Sequence, residues 1–308
     1  MAAHAKTIEG LLTDPAFQGE VRAHEPMAAH TTYRIGGPAR WFVRADSVSA
    51  LTSVLEACVR QRVSWAIVGR GSNLLVSDDG FDGVVMTLGR DFRSFRIDAD
   101  DPTRIMAGAG VLLSAVVQES FKRSLAGLEF AVGTPGNIGG ALRMNAGSAQ
   151  EYIGSRVASV TTYVPGSDLQ RRAATDVQWG YRQTSFAPDE VILECELVLE
   201  EADPFFIRGK MEANLKRRRA SQPLDLPSCG SVFRNPPGES AARLIDQAGL
   251  KGLRAGGAEV STKHANFIVN TGGATAADVR RLIDDVRQRV MDAYGTQLTT
   301  EVRFLGFK

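Results

Sequence analysis

The chain has 308 residues, 44% of them hydrophobic, enough to bury a sizeable core and to form two or three domains of ordinary size. Thirty-six Lys and Arg against 35 Asp and Glu leave a net charge of +1, so no global field points to nucleic acid or an anionic membrane, and neither is expected as a partner. No window approaches the about 18 consecutive apolar residues of a spanning helix, and the opening MAAHAKTIEGLLTDP has acids where a secretion signal needs a basic start, so a cytoplasmic protein is expected.

In chain order, short β-branched runs alternate with glycine turns. WFVRA (41–45), WAIVG (65–69), GVVMTLG (83–89), RIMAGAG (104–110), VASVTTYV (157–164) and VILECELVLE (191–200) read as strands. Between them LTSVLEACVRQ (51–61) and LLSAVVQESFKR (112–123) read as helices. Asp203 before Pro204 is an N-cap and first-turn proline, opening a helix to about Ser221 with Ile207, Met211 and Leu215 on one face. A shorter helix is predicted from about Ser240 to Ala248, stopped by Gly249, and ANFIVN (265–270) as a strand. Thr275 to Asp278 reads as a capping box ahead of a helical stripe of Val279, Leu282, Ile283, Val286 and Val290, and TTEVRFLG closes the chain as a strand. The change of character near residue 203 divides the chain into a glycine-rich α+β region, 1–202, and a smaller α/β region, 203–308.

Cys58, Cys195 and Cys229 form no CxxC pair and are odd in number, so neither a disulfide framework nor a metal site is indicated. Two loops stand out: GRGSNLLVSDDG (69–80) and GTPGNIGGALRMNAG (133–147). Glycines let backbone N–H groups approach phosphate oxygens, so a diphosphate-bearing cofactor fits, and so do tight turns. Gly69-x-Gly71 and Gly108-x-Gly110 lack the third glycine of a dinucleotide fingerprint, and no GxxxxGK[ST] loop is present. In PSCGSVFRNP (227–236), Ser231 follows a glycine with no histidine nearby in sequence, so it is either a turn residue or a proton donor, not an activated nucleophile.

TYRIGGPA (32–39), VGRGSNLLVSDDGF (68–81), GTPGNIGGALRMNAG, GYRQTSF (180–186), PSCGSVFRNP, LIDQAGLKG (244–252), KHANFIVN (263–270) and TTEVRFLG occur in one order. Together they closely resemble the UDP-N-acetylenolpyruvoylglucosamine reductase family, over nearly the whole chain. The resemblance implies an FAD-binding region of the PCMH (vanillyl-alcohol-oxidase-like) type, followed by a domain that closes over substrate. It further implies non-covalent FAD, NADPH as hydride donor, and reduction of UDP-N-acetylenolpyruvoylglucosamine to UDP-N-acetylmuramate for peptidoglycan. A monomer is expected.

The family's catalytic residues fall on Arg182, Ser231 and Glu301. Reducing an enolpyruvyl ether adds hydride to one alkene carbon and a proton to its neighbour, with charge passing through an enediolate. A guanidinium suits that charge, and a neutral hydroxyl is acid enough for a carbanion-like carbon. Without the resemblance Arg182 reads as an ordinary edge residue, and Glu301 as a strand-end carboxylate on the same face as Arg303. FAD contacts are expected at Tyr33, Gly69, Gly71, Ser72, Asn73, Gly133, Gly139, Asn145, Ala146 and Gly147. Substrate contacts are expected at Asn235, Arg234 (where the family usually has lysine), Lys263 and His264, the last equally readable as a loop histidine. LKRRRASQ (215–222) reads as a solvated helix end. One strand and one helix fill the stretch between Arg182 and Ser231, which matches the family's shorter form, without an inserted tyrosine-bearing segment. Rival readings are a covalent flavoenzyme of the same cofactor fold, disfavoured by glycine loops without His or Cys, and a non-catalytic nucleotide-sugar or RNA-binding module.

Overall fold

The apolar run VILECELV forms the strand Val191–Val198, the middle of a five-stranded sheet in the computed structural model, which describes residues 7–307. Residues 1–6, on which part of the reading of the leader falls, lie outside it. The sheet order is Gln170–Ala173, Val157–Tyr163, Val191–Val198, Arg104–Gly108, Phe95–Ile97, with antiparallel pairing throughout. The central strand is buried on both faces, so its residues do not alternate apolar and polar as a half-exposed strand would. Its buried carboxylate, Glu196, meets Arg104 at 2.6 Å, Arg171 at 2.7 Å and the Ser159 hydroxyl at 2.9 Å.

A four-stranded sheet, ordered Gly19–Pro26, Pro38–Ala45, Phe81–Leu88, Ser64–Ile67, pairs its last two strands in parallel. The helix Val48–Gln61 buries Leu51, Val54, Leu55 and Cys58; Ser47 caps it by accepting from the Ala50 N–H, and Arg62 ends it in the left-handed region. These residues join the helices Leu113–Lys122 and Ile138–Arg143 and the five-stranded sheet in one hydrophobic core.

A second core gathers around the helix Ala276–Tyr294. Thr275 and Asp278 form the expected capping box, the predicted stripe Val279, Leu282, Ile283, Val286 and Val290 is buried, and Gly295 ends the helix at φ 65°. Beside it lie the antiparallel strands Arg254–Ala255, Ala258–Val260 and Ile268–Asn270, and the helix Ala241–Gln247 capped by Ser240.

The chain divides into two compact units. Among the described residues, one comprises 7–23, Trp41–Gly69 and Gly83–Leu215; the other His24–Arg40, Arg70–Asp82 and 216–307. A single break near residue 203 is therefore not how the contacts partition. Leu74–Val76 pairs in parallel with Arg303–Leu305, and Tyr33, Ile35 and Leu75 pack into the core that holds Val232, Leu244 and Val302, which draws two early segments into the second unit. The helix Pro204–Ser221 opens as predicted, with the Asp203 carboxylate accepting from the Phe205 N–H at 2.8 Å. Two predicted strands shorten: ANFIVN to Ile268–Asn270, and TTEVRFLG to Arg303–Leu305. No helix among the described residues is long and apolar enough to cross a membrane.

Candidate active site

In the first unit, Arg182 stands in the turn between the short paired strands Trp179–Gly180 and Gln183–Thr184. Its backbone is left-handed, at φ 56°, a conformation that costs a bulky side chain energy and that surrounding contacts must impose. Those contacts come from the glycine-rich loop. Asn145, itself left-handed at φ 43°, donates through Nδ2 to the Gly180 carbonyl at 3.0 Å and accepts at Oδ1 from the Gly154 N–H at 3.0 Å. The Arg182 Nη1 donates to the Gly147 carbonyl at 2.6 Å. Gly147 lies at φ 145°, and a Cβ there would sit 2.2 Å from the Glu151 carbonyl oxygen. Only glycine fits that turn, which delivers an acceptor to the arginine. Thus Asn145 and Gly147, expected as cofactor contacts, also brace the Arg182 turn, and Ala146 is tied in by its N–H to the Ala141 carbonyl.

Gly69 packs against the same loop, and Gly139 lies within it. A Cβ on Gly69 would fall 2.5 Å from Asn137 Oδ1, and one on Gly139 would fall 3.0 Å from the Ala109 Cβ. Gly133 turns at φ 70°. Asn137, not singled out from the sequence, donates from Nδ2 to the Gly110 carbonyl at 2.7 Å, while its Oδ1 is buried without a hydrogen bond. A buried acceptor left without a donor costs about 1–3 kcal/mol, which a ligand hydroxyl or N–H would recover. The ribityl and ring N–H groups of FAD offer such donors, so this loop fits the cofactor.

In the second unit, Ser231, Asn73 and Glu301 come together. The Glu301 N–H donates to the Val232 carbonyl at 2.7 Å, and the Glu301 carbonyl accepts from Asn73 Nδ2 at 3.2 Å. Asn73 in turn accepts from the Arg303 N–H at 3.0 Å. Glu301 thus lies just before the closing strand, which begins at Arg303. Ser231 follows Gly230, at φ 80°, and bridges to Phe267. Its hydroxyl takes part in no hydrogen bond among the described residues.

Tyr33 is fully buried, its hydroxyl facing the Cys229 thiol and lacking an oxygen or nitrogen partner; burial and that thiol push its pKa well above the usual value. Gly71, at φ 60°, accepts from the Thr32 N–H at 3.3 Å, and Ser72 is half-buried beside it. Arg234 has a buried Nε without a hydrogen-bond partner, a cation ready for an anion. Asn235 spends its Oδ1 on the Ala241 N–H at 3.1 Å.

Lys263 and His264 line a groove of about 370 Å³ shared with Arg243, Asp246, Gln247 and Lys251. The Lys263 Nζ donates to the Arg219 carbonyl at 2.6 Å, so the basic run ends against the groove's edge. His264 accepts at Nδ1 from the Asn266 N–H at 3.3 Å, which places its remaining proton on Nε2, and burial holds its pKa below the usual value. All three cysteines are buried.

Residues 39–171 match the family model described as FAD binding domain, which defines the chain as an FAD-binding protein. Residues 222–305 match that of UDP-N-acetylenolpyruvoylglucosamine reductase, C-terminal domain. The reductase of that name from Heliobacterium modesticaldum is 42% identical over 292 residues, 94% of this chain and 92% of its own. A second, from Symbiobacterium thermophilum, is 39% identical over 307 residues, 99% of this chain and 98% of its own. The crystal structure of the Thermus caldophilus reductase matches with a TM-score of 0.81 and 32% identity, covering 93% of this chain and 99% of its own. The chain therefore belongs to the UDP-N-acetylenolpyruvoylglucosamine reductase family, and its α+β fold, FAD-binding region first and substrate domain after, is the one expected.

Proposed function

We propose that the chain reduces UDP-N-acetylenolpyruvoylglucosamine to UDP-N-acetylmuramate, with FAD bound non-covalently and NADPH as the donor, in peptidoglycan precursor synthesis. The observation that carries this is the joint match of an FAD-binding domain and the reductase's own C-terminal domain within one chain. Bound FAD supplies the hydride chemistry, and the chain's residues supply charge and a proton.

Arg182 stabilises the enediolate that forms at the substrate carboxylate; a permanently charged planar fork can bond both of its oxygens. Ser231 gives its proton to the carbon bearing that carboxylate, and its uncommitted hydroxyl supports the role. Glu301 serves the same carboxylate. FAD is held by the region up to about residue 202, through Gly69, Gly133, Gly139, Asn145, Ala146 and Gly147 together with Tyr33, Gly71, Ser72 and Asn73. Substrate is held by the C-terminal domain, through Arg234, Asn235, Lys263 and His264. The protein works as a monomer in the cytoplasm, without nucleic acid or membrane, and is of the shorter form.

The test is anaerobic. The purified protein should show flavin absorbance in the blue and near ultraviolet that leaves with the supernatant on denaturation. NADPH should bleach it, and the enolpyruvyl substrate should restore it. Bleaching without restoration would leave a flavoprotein of another substrate; colour retained on denatured protein would indicate a covalent flavin.

A further inference from the structure

We propose that Asn266 is a positioning residue for the Ser231 hydroxyl, an inference that rests on the proton-donor role given to Ser231 above. Asn266 is buried, at 4% exposure, and spends both ends of its amide on one residue: Oδ1 accepts from the Phe233 N–H at 2.9 Å, and Nδ2 donates to the Phe233 carbonyl at 2.8 Å. Its own carbonyl accepts from the Val232 N–H at 2.8 Å, and Phe267 bridges to Ser231. The segment 231–233 is thus held along its length without belonging to a regular strand. On its other side the Glu301 N–H and a bridge from Thr300 to Phe233 complete the pairing.

A side-chain amide carries the same donor and acceptor as a peptide group, so Asn266 stands in for one missing rung of a ladder. That rung sets register. Successive side chains of an extended segment point to opposite faces, so a slip of one residue would turn the Ser231 hydroxyl away from its present side. Aspartate keeps the acceptor and loses the donor, alanine loses both, and glutamine is one carbon too long. Asn266 is itself fixed, its N–H donating to His264 Nδ1 and the following Phe267 N–H to the His264 carbonyl at 2.9 Å.

The experiment uses the full-length, FAD-loaded enzyme with Asn266→Ala and Asn266→Asp, following flavin reduction by NADPH and reoxidation by the enolpyruvyl substrate separately. Misplacement of a reacting group can cost on the order of 100-fold, so Asn266→Ala is expected to slow reoxidation by roughly 10- to 100-fold, and flavin reduction far less. Asn266→Asp should regain reoxidation as pH falls, because a protonated carboxyl again donates to the Phe233 carbonyl, a pH trend a merely structural loss would not produce. In a Ser231→Ala background, Asn266→Ala should add little. Equal slowing of both half-reactions, or a fully additive double variant, overturns the inference. Ser231→Ala alone reoxidising at the wild-type rate would instead sink the proton-donor reading on which it stands. Should Asn266→Ala fail to fold, the pH trend of Asn266→Asp decides by itself.

Discussion

Burial, aided by the Glu301 carboxylate and opposed by the neighbouring Tyr33 hydroxyl, pushes the Cys229 thiol up to about 12. Thiolate is the reactive form, and at pH 8 its fraction would be on the order of one in ten thousand. A thiol two residues from the proposed proton donor is therefore no rival nucleophile. Alkylation by iodoacetamide at pH 8, read by peptide mass spectrometry, should label Cys229 only after unfolding; native labelling at the rate of a free cysteine would contradict its burial. At this scale the proposed catalytic residues Arg182, Ser231 and Glu301 each lie in a motif visible in the sequence. Asn137, Asn145 and Asn266 were not given their structural parts, although each lies inside a quoted motif. An asparagine that bonds backbone groups distant in sequence has no local signature, and Asn266 meets Phe233 from 33 positions away.

Elements with a strong internal period were legible. The stripe of the helix Ala276–Tyr294 and its capping box are local properties, and both are present as predicted. What also holds that helix was not legible: the Asp78 carboxylate accepts from the Ala276 N–H at 2.7 Å and the Ala277 N–H at 2.9 Å, satisfying two of the orphan donors of the first turn and placing negative charge at the positive end of the helix. Asp78→Ala should cost the second unit about 1–2 kcal/mol in urea unfolding, and Asp78→Asn less, since an amide oxygen still accepts. An unchanged midpoint for both would show the helix to be sufficiently capped by Thr275 alone. The closing strand fell short of its prediction for a related reason. Glu301 and Val232 pair before regular geometry begins, and Arg303–Leu305 finds its partner in Leu74–Val76, far off in sequence.

At the scale of the whole molecule, composition and glycine content marked a glycine-rich region followed by a smaller α/β one, and the matches to an FAD binding domain and a reductase C-terminal domain follow that order. Period and composition report what a segment is, not which core receives it, so the passage of His24–Arg40 and Arg70–Asp82 into the second unit had no sequence signal. Those segments carry Tyr33 and Asn73, the latter tied to the Glu301 backbone, so the second unit combines expected cofactor contacts with two of the expected catalytic residues. Ser231, on the function proposed above, delivers the proton that completes reduction. The most direct measurement is anaerobic stopped-flow of Ser231→Ala in its two half-reactions. Bleaching of the flavin by NADPH should proceed at close to the wild-type rate, while reoxidation by the enolpyruvyl substrate falls by about 10²–10⁴-fold. Reoxidation at the wild-type rate, or equal loss in both halves, would contradict it.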